Sequence, residues 1–313
     1  MSYDLIVDTQ LPAEMREMIG AECDIHIWPV DAADPLFHTA AGMLTYGHPR
    51  VDGAVMDRMP KLKVISNFGV GVDHIDLAAA RARGIPVGNT PHILDGATAD
   101  MTFALLLTAA RNLVSGDRYA RSADFIHYDP NILIGSEVHG ATLGIIGMGN
   151  IGRQVARRAR GFDMTVLYHN RTRNPQAEAE LGVIYAALPE LLQRADYVTL
   201  NLPLTAETRG IIGRAQLRQM QPTAWLINVA RGGVVDHAAL VEALEQRWIA
   251  GAALDVTEPE PLPRDHPLLR LENAIIVPHL GSATRQTRQA MARLTVDNLN
   301  AGLAGLPLPS QIA

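Results

Sequence analysis

The sequence predicts an α/β protein built on doubly wound parallel sheets. Short, β-rich apolar runs alternate with helical patterns almost from end to end, as βαβ units require. Midway along, an apolar strand runs into a glycine-rich turn and then a helical pattern, the one context in which such a turn has mechanical meaning. The 313 residues make about two domains at roughly 100 to 200 residues each, with ample room for buried cores.

Taken in order, strands are expected at Leu5 to Asp8, Met43 to Thr45, Lys63 to Asn67 and Pro86 to Gly88, with helices at Ala13 to Gly20 and Leu77 to Arg83. Together these make a compact first unit. A helix-favouring stretch from Thr98 to Arg111 leads into a loop through Asp129-Pro130 and Gly135, and a fresh strand at Thr142 to Ile146 opens a second domain. The alternation then repeats: helix Ile151 to Arg160, strand Thr165 to His169, helix Leu188 to Gln193, strands Tyr197 to Leu200 and Ala224 to Asn228, helix His237 to Gln246, and strands Ala252 to Asp255 and Ala274 to Val277. This is a doubly wound pattern. The amphipathic helix Arg285 to Leu303 lies beyond the last strand and is expected to cross back to the first unit.

Hydrophobic residues make up 48% and aromatics 5%, with a formal net charge of −6, which describes an ordinary globular protein. No block of Lys and Arg could track a phosphate backbone, so nucleic acid is not an expected partner. Cys23 is the only cysteine, so no intrachain disulfide and no Cys-rich zinc site can form, and a metal is not expected. The N-terminus reads as a short strand rather than a signal peptide, and the longest apolar runs fall short of the roughly 20 residues that span a bilayer. A cytoplasmic protein with no membrane partner is the expectation.

Gly147-Met148-Gly149-Asn150-Ile151-Gly152 is a G-x-G-x-x-G turn flanked by strand and helix. Gly147 permits the tight turn, Gly149 lets backbone approach a pyrophosphate, and Gly152 allows close packing of helix on strand, while the helix N-terminus offers N–H groups to the phosphates. A dinucleotide is the implied cofactor. An NAD site usually carries an acid about 20 residues further on, at the end of the next strand. Here the turn is Asn170-Arg171-Thr172-Arg173, with no acid; the two arginines can pair with a 2′-phosphate and Thr172 can donate to it. NADPH is therefore expected over NADH.

Three later segments place isolated polar residues at strand ends: Asn228-Val229-Ala230-Arg231-Gly232-Gly233, Leu254-Asp255-Val256-Thr257-Glu258-Pro259-Glu260-Pro261, and Val277-Pro278-His279-Leu280-Gly281-Ser282. Ligands of open α/β sheets bind at such carboxyl ends. An arginine to clamp a carboxylate, a histidine to give a proton to a ketone oxygen and an acid to keep that histidine protonated suit hydride transfer to a 2-oxo acid. Singly each residue has a bland reading: a hydrogen-bonded structural His, a loop-anchoring Arg, a solvated Glu. Their gathering on successive strands of one sheet favours chemistry.

With these residues in hand, the chain resembles the D-isomer-specific 2-hydroxyacid dehydrogenases, and within them the glyoxylate and hydroxypyruvate reductases. The resemblance covers nearly the whole chain, including Asn67-Phe68-Gly69-Val70-Gly71-Val72-Asp73-His74-Ile75-Asp76, the stretch from Asn89-Thr90-Pro91 to Thr98-Ala99-Asp100, and Pro278 to Thr284. It implies two Rossmann-like domains: a flavodoxin-like substrate domain of residues 1–98 and 285–313, and a central dinucleotide-binding domain of residues 99–284, closing over a cleft in a homodimer. It further implies that Arg231 binds the substrate carboxylate and carbonyl, that His279 is the general acid/base, and that Glu260 hydrogen-bonds His279. Asp255 would orient the nicotinamide; Thr98, Pro203, Thr208, Val229 and Ser282 match further cofactor or substrate contacts. Backbone amides at Val70 and Gly71 would hold the substrate carboxylate, with Leu44 and Tyr46 in the outer wall and His48 facing solvent. Relatives often carry tryptophans in the loop before the glycine motif; here it reads Phe125-Ile126-His127-Tyr128-Asp129-Pro130-Asn131-Ile132. Two other readings are an NAD-dependent enzyme of a larger substrate, such as phosphoglycerate or D-lactate, and a dinucleotide-sensing binding protein. The Arg171 turn speaks against the first and the lack of long disordered tails against the second.

Overall fold

The computed structural model describes residues 2–29, 31 and 33–313. Contacts divide the chain into two compact units, Met1–Leu94 with Thr284–Ala313, and Asp95–Ala283. The breaks differ from the expected Thr98/Ala99 and Thr284/Arg285 for local reasons. Helix Asp95–Ala110 starts earlier than expected and belongs whole to the second unit, and the Thr284 side chain is the N-cap of the last helix.

In chain order the first unit runs β1 (Tyr3–Val7), α1 (Ala13–Ile19), β2 (Cys23–Ile27), α2 (Leu36–Thr39), β3 (Gly42–Thr45), α3 (Gly53–Asp57), β4 (Val64–Asn67), α4 (Leu77–Ala82) and β5 (Val87–Gly88). The second runs α5 (Asp95–Ala110), α6 (Leu113–Ala120), β6 (Thr142–Ile146), α7 (Asn150–Ala159), β7 (Thr165–His169), α8 (Pro175–Leu181), β8 (Ile184–Tyr185), α9 (Leu188–Arg194), β9 (Tyr197–Leu200), α10 (Arg214–Leu217), β10 (Trp225–Asn228), α11 (His237–Glu245), β11 (Gly251–Leu254) and β12 (Ala274–Ile276). Helix α12 (Arg285–Leu303) then returns to the first unit, as its position beyond the last strand led us to expect.

The first unit's strands are all parallel in the order β2-β1-β3-β4-β5, the flavodoxin-like winding. Its core of Ile6, Phe37, Met43, Ile65 and Val87 is fully buried. Helix α12 closes the unit's other face on residues it fits closely: a Cβ at Gly302 would collide with Val64, and the Ser66 hydroxyl donates to the Thr295 carbonyl at 2.7 Å. Side-chain oxygens of Asp52 and Asp76 accept from the third amide of α3 and α4, stopping the chain from fraying where each helix begins.

The second unit's seven strands are parallel in the order β12-β11-β10-β9-β6-β7-β8. Direction of winding reverses between β6 and β9, so the carboxyl ends of those two strands, Gly147 and Asn201, mark the switch point where open sheets hold ligands. Separate apolar clusters cover the two faces: Phe103, Leu106, Val155 and Tyr168 on one, Leu191, Leu217, Leu240 and Leu244 on the other. Strands buried on both faces read as continuous apolar runs, which is why β6, β9 and β10 were legible. Among the described residues no helix is long and apolar enough to cross a membrane.

Candidate active site

The glycine loop forms the turn from β6 into α7. Gly147 sits at φ +103°, a conformation closed to most side chains, and a Cβ there would strike the Asn201 backbone carbonyl. A Cβ at Gly152 would strike the Gly147 carbonyl, so the helix lies against the strand end only because this residue has no side chain. Gly149 has nothing within 4 Å of its Cβ position, and no side chain caps the first turn of α7. Open space over a glycine at an uncapped helix N-terminus fits a pyrophosphate. Beside it, the Asn201 Nδ2 is buried with no hydrogen-bond partner. Met148 differs from its neighbours: its side chain is in the core and its amide donates to Asn170 Oδ1 at 2.7 Å. Asn170 thereby ties the end of β7 to the loop.

In the turn that follows, the two arginines part company. Arg173 makes a two-pronged pair with Glu178, Nε to Oε1 at 2.7 Å and Nη2 to Oε2 at 2.6 Å, and Glu178 also accepts from Tyr168 Oη at 2.6 Å. These bonds, the Arg173 guanidinium foremost, hold the Glu178 carboxyl down at about 2. Arg171 and Thr172 are exposed. Thr208, expected at the cofactor, spends its hydroxyl on the Pro203 carbonyl at 2.7 Å and takes the Thr205 amide at 2.8 Å, which shapes the loop after β9.

The three polar residues sit on turns that are held from behind. After β10, buried Asn228 accepts from the Ala230 amide at 3.0 Å and donates to the Arg231 carbonyl at 2.9 Å. Arg231 Nη1 donates to the Ala230 carbonyl at 2.9 Å. A Cβ at Gly232 would overlap the Thr257 backbone, so the segment behind Arg231 lies directly on the one that carries Glu260. After β12, His279 adopts φ +54°, a strained choice for a residue with a Cβ. Asp255, 1% exposed, fixes that turn by accepting from the amides of Leu280 at 2.6 Å and Gly281 at 2.8 Å. Burial pushes the Asp255 carboxyl up in spite of those two donors. Its oxygens thus serve the His279 turn first. Thr98 lines the same place, its hydroxyl 3.6 Å from the Cβ position of Gly281; Ser282 and Val229 are buried. The imidazole Nδ1 of His279 lies 2.7 Å from Glu260 Oε1, a charge-assisted contact with both side chains about a third exposed.

In the first unit, the turn after β4 has three successive carbonyls pulled back. Asn67 Nδ2 donates to Gly69 and Gly71 at 3.0 Å each, Asn89 Nδ2 donates to Val70 at 2.9 Å, and the Thr90 amide donates to Gly69 at 3.0 Å. Thr45 Oγ1 in turn donates to Asn67 Oδ1 at 2.8 Å. No described acceptor takes the amides of Val70 or Gly71, so the turn is a ready anion cradle. Tyr46 stacks on Phe68 with centroids 4.4 Å apart, Arg288 lies 5.5 Å from the Phe68 centroid, and His48 is exposed at φ +65°. Leu44, expected in the pocket wall, is instead fully buried in β3, because alternate side chains of a central strand face the two cores. Asn67, Asn89, Asn228 and Arg288 were not expected to have functional roles: nothing in their local spacing separates them from ordinary polar residues.

Residues 103–281 match the family model described as D-isomer specific 2-hydroxyacid dehydrogenase, NAD binding domain. The chain belongs to the D-isomer specific 2-hydroxyacid dehydrogenases. It is 49% identical over 250 residues to the glyoxylate reductase of Korarchaeum cryptofilum, covering 80% of this chain and 75% of that one. It is 42% identical to the glyoxylate reductase of Thermococcus gammatolerans, covering 96% of this chain and 92% of the other. A solved structure of the NADPH-dependent glyoxylate/hydroxypyruvate reductase of Sinorhizobium meliloti, in complex with NADP and malonate, superposes with a TM-score of 0.91 at 32% identity, over 100% of this chain and 97% of that one. Two all-parallel sheets wound as described are the fold this membership entails, and the central unit is its dinucleotide-binding domain.

Proposed function

We propose that this protein is an NADPH-preferring reductase of small 2-oxo acids, glyoxylate and hydroxypyruvate, giving D-2-hydroxy acids with His279 as proton donor. The observation that carries the reading is the 2.7 Å pairing of His279 Nδ1 with Glu260, on a turn anchored by Asp255, in a chain whose relatives are named glyoxylate reductases.

Bound dinucleotide supplies the hydride to C2. Gly149 and Ile151 would hold its pyrophosphate, with Gly152 keeping the helix close to the strand and Thr98, Pro203 and Val229 along the dinucleotide. Asp255 would orient the nicotinamide with lone pairs left over from its two backbone bonds. Arg231 binds the substrate carboxylate and polarises the C2 carbonyl. The Val70 and Gly71 amides bind a carboxylate as the glycine loop binds a phosphate. With Nδ1 engaged by Glu260, the proton leaves His279 from Nε2 to the C2 oxygen.

NADPH preference rests on Arg171 and Thr172, with Arg173 contributing only as far as it leaves Glu178. Kinetics of Arg171→Ala and Arg173→Ala with both dinucleotides test this. Arg171→Ala is expected to raise KM for NADPH at least about tenfold more than KM for NADH, the worth of one charge-assisted contact; equal effects on the two would refute the 2′-phosphate assignment. The loop before β6 favours a homodimer, since its apolar Ile126, Tyr128 and Ile134 are 81%, 80% and 74% exposed, as residues that a second copy covers would be. Ile126→Asp should shift the mass measured by light scattering toward the monomer.

A further inference from the structure

His237 opens α11, six residues after Arg231, and its ring reaches across to the segment that carries Glu260. Nδ1 lies 2.8 Å from the Glu258 carbonyl oxygen. A carbonyl only accepts, so Nδ1 carries a proton, and the Glu258 amide nitrogen 3.3 Å from the same atom is not its partner. Nε2 is buried with no hydrogen-bond partner. On its other side Glu258 is gripped by Arg209, whose Nη1 lies 2.9 and 2.8 Å from the two carboxylate oxygens. Within the segment the Thr257 hydroxyl donates to the Pro259 carbonyl at 2.9 Å. A Cβ at Gly233 would collide with the Glu258 carboxylate, so the ring and the backbone behind Arg231 press on one residue. Two positions further on, Glu260 meets His279.

We infer that His237 is a positioning residue: by donating to the Glu258 carbonyl it clamps the segment that delivers Glu260 to His279, and so helps to set the protonation of the proton donor. This rests on the reading of His279 as that donor. The clamp joins three stretches that each end a different strand, Arg209 after β9, His237 after β10 and Glu258 after β11. Loss of the His237 bond would loosen the segment on one side while Arg209 still holds Glu258 on the other. Charged and titratable neighbours of the ring are Asp236 on its own segment, Glu258 with Arg209 across from it, and His266 with its ring centroid 6.4 Å away. Burial, with His266 adding to it, lowers the pKa of His237, which agrees with an Nε2 that has nowhere to place a second proton. An unfolded chain takes up that proton below about 6.5 while the folded one resists, so this contribution to stability is complete above that pH and drains away below it.

The test is the pH profile of kcat/KM for 2-oxo acid reduction, whose alkaline limb reports loss of the donor's proton. Glu260→Gln is expected to move that limb about one unit toward lower pH, the usual effect of removing a contacting charge. His237→Phe, which fills the space without a donor, should move it the same way by at least about half a unit, roughly threefold in rate on the limb. KM for NADPH should not change. His237→Asn, whose amide can replace Nδ1–H, should restore the limb. Arg209→Gln removes the opposite grip at an exposed position and should give a smaller shift of the same sign, even if His237→Phe does not fold. A shift with Glu260→Gln but none with His237→Phe, or none with Arg209→Gln should His237→Phe not fold, would overturn the positioning role. No shift with Glu260→Gln would instead overturn the donor reading beneath it.

Discussion

The glycine loop of the second unit and the Val70–Gly71 turn of the first both present backbone amides that no side chain caps, yet they are built by opposite means. The glycine loop is shaped by absence: Gly147 and Gly152 let backbone lie where any Cβ would collide with it. The Val70–Gly71 turn is shaped by presence, with Asn67, Asn89 and Thr90 drawing three successive carbonyls away. A steric device fails abruptly when a methyl is added. A hydrogen-bonded device fails by degrees, each deletion leaving a buried acceptor short of a donor.

The sharpest break is Gly147→Ala. Left-handed backbone and a clash with the Asn201 carbonyl should together weaken NADPH binding by more than about a hundredfold and lower Tm by several degrees. Fluorescence titration and a thermal scan measure both, and wild-type affinity would remove the steric account. Asn67→Ala comes next. It should raise KM for the 2-oxo acid about tenfold and destabilise by about 1–3 kcal/mol, with the NADPH Kd within about twofold of wild type since the glycine loop lies in the other unit. A loss confined to cofactor affinity would contradict the assignment of that turn. The smallest effect concerns the turn after β7. Glu178 is held down at about 2 from 4.5, so its pair with Arg173 supports the fold above the unfolded value and is lost as pH falls from about 4.5 toward 2. Glu178→Gln should flatten the decline of Tm across that window and free Arg173, lowering KM for NADPH about twofold, the order of an exposed pair.

The same contrast explains what was legible in the sequence. Strands β6, β9 and β10 are apolar runs buried on both faces, and the glycine motif is local, so its steric logic can be read from six consecutive residues. The segments of Arg231, Glu260 and His279 showed as polar residues following strand ends, but which acid of the second segment meets His279 came only from the family resemblance. Strand β2 was missed because at the sheet edge Cys23–Ile27 leaves Ile27 49% exposed and shows no clear face. Helix α8 was missed although Asn174 before Pro175 is a start signal, with Asn174 Oδ1 accepting from Ala177 at 3.0 Å. The roles of Asn67, Asn89, Asn228 and His237 depend on partners brought together by the fold. Arg173 stands between these cases. Its charge was visible, but its partner five residues on, in a helix not foreseen, was not.

Turnover decides the central claim most directly. Purified protein should oxidise NADPH with glyoxylate or hydroxypyruvate at higher kcat/KM than NADH, and His279→Ala should cut kcat by about a hundredfold or more, as removal of a general acid does, while NADPH affinity stays within about twofold of wild type. Absence of turnover with every 2-oxo acid offered, or a His279→Ala enzyme as fast as the wild type, would contradict the account.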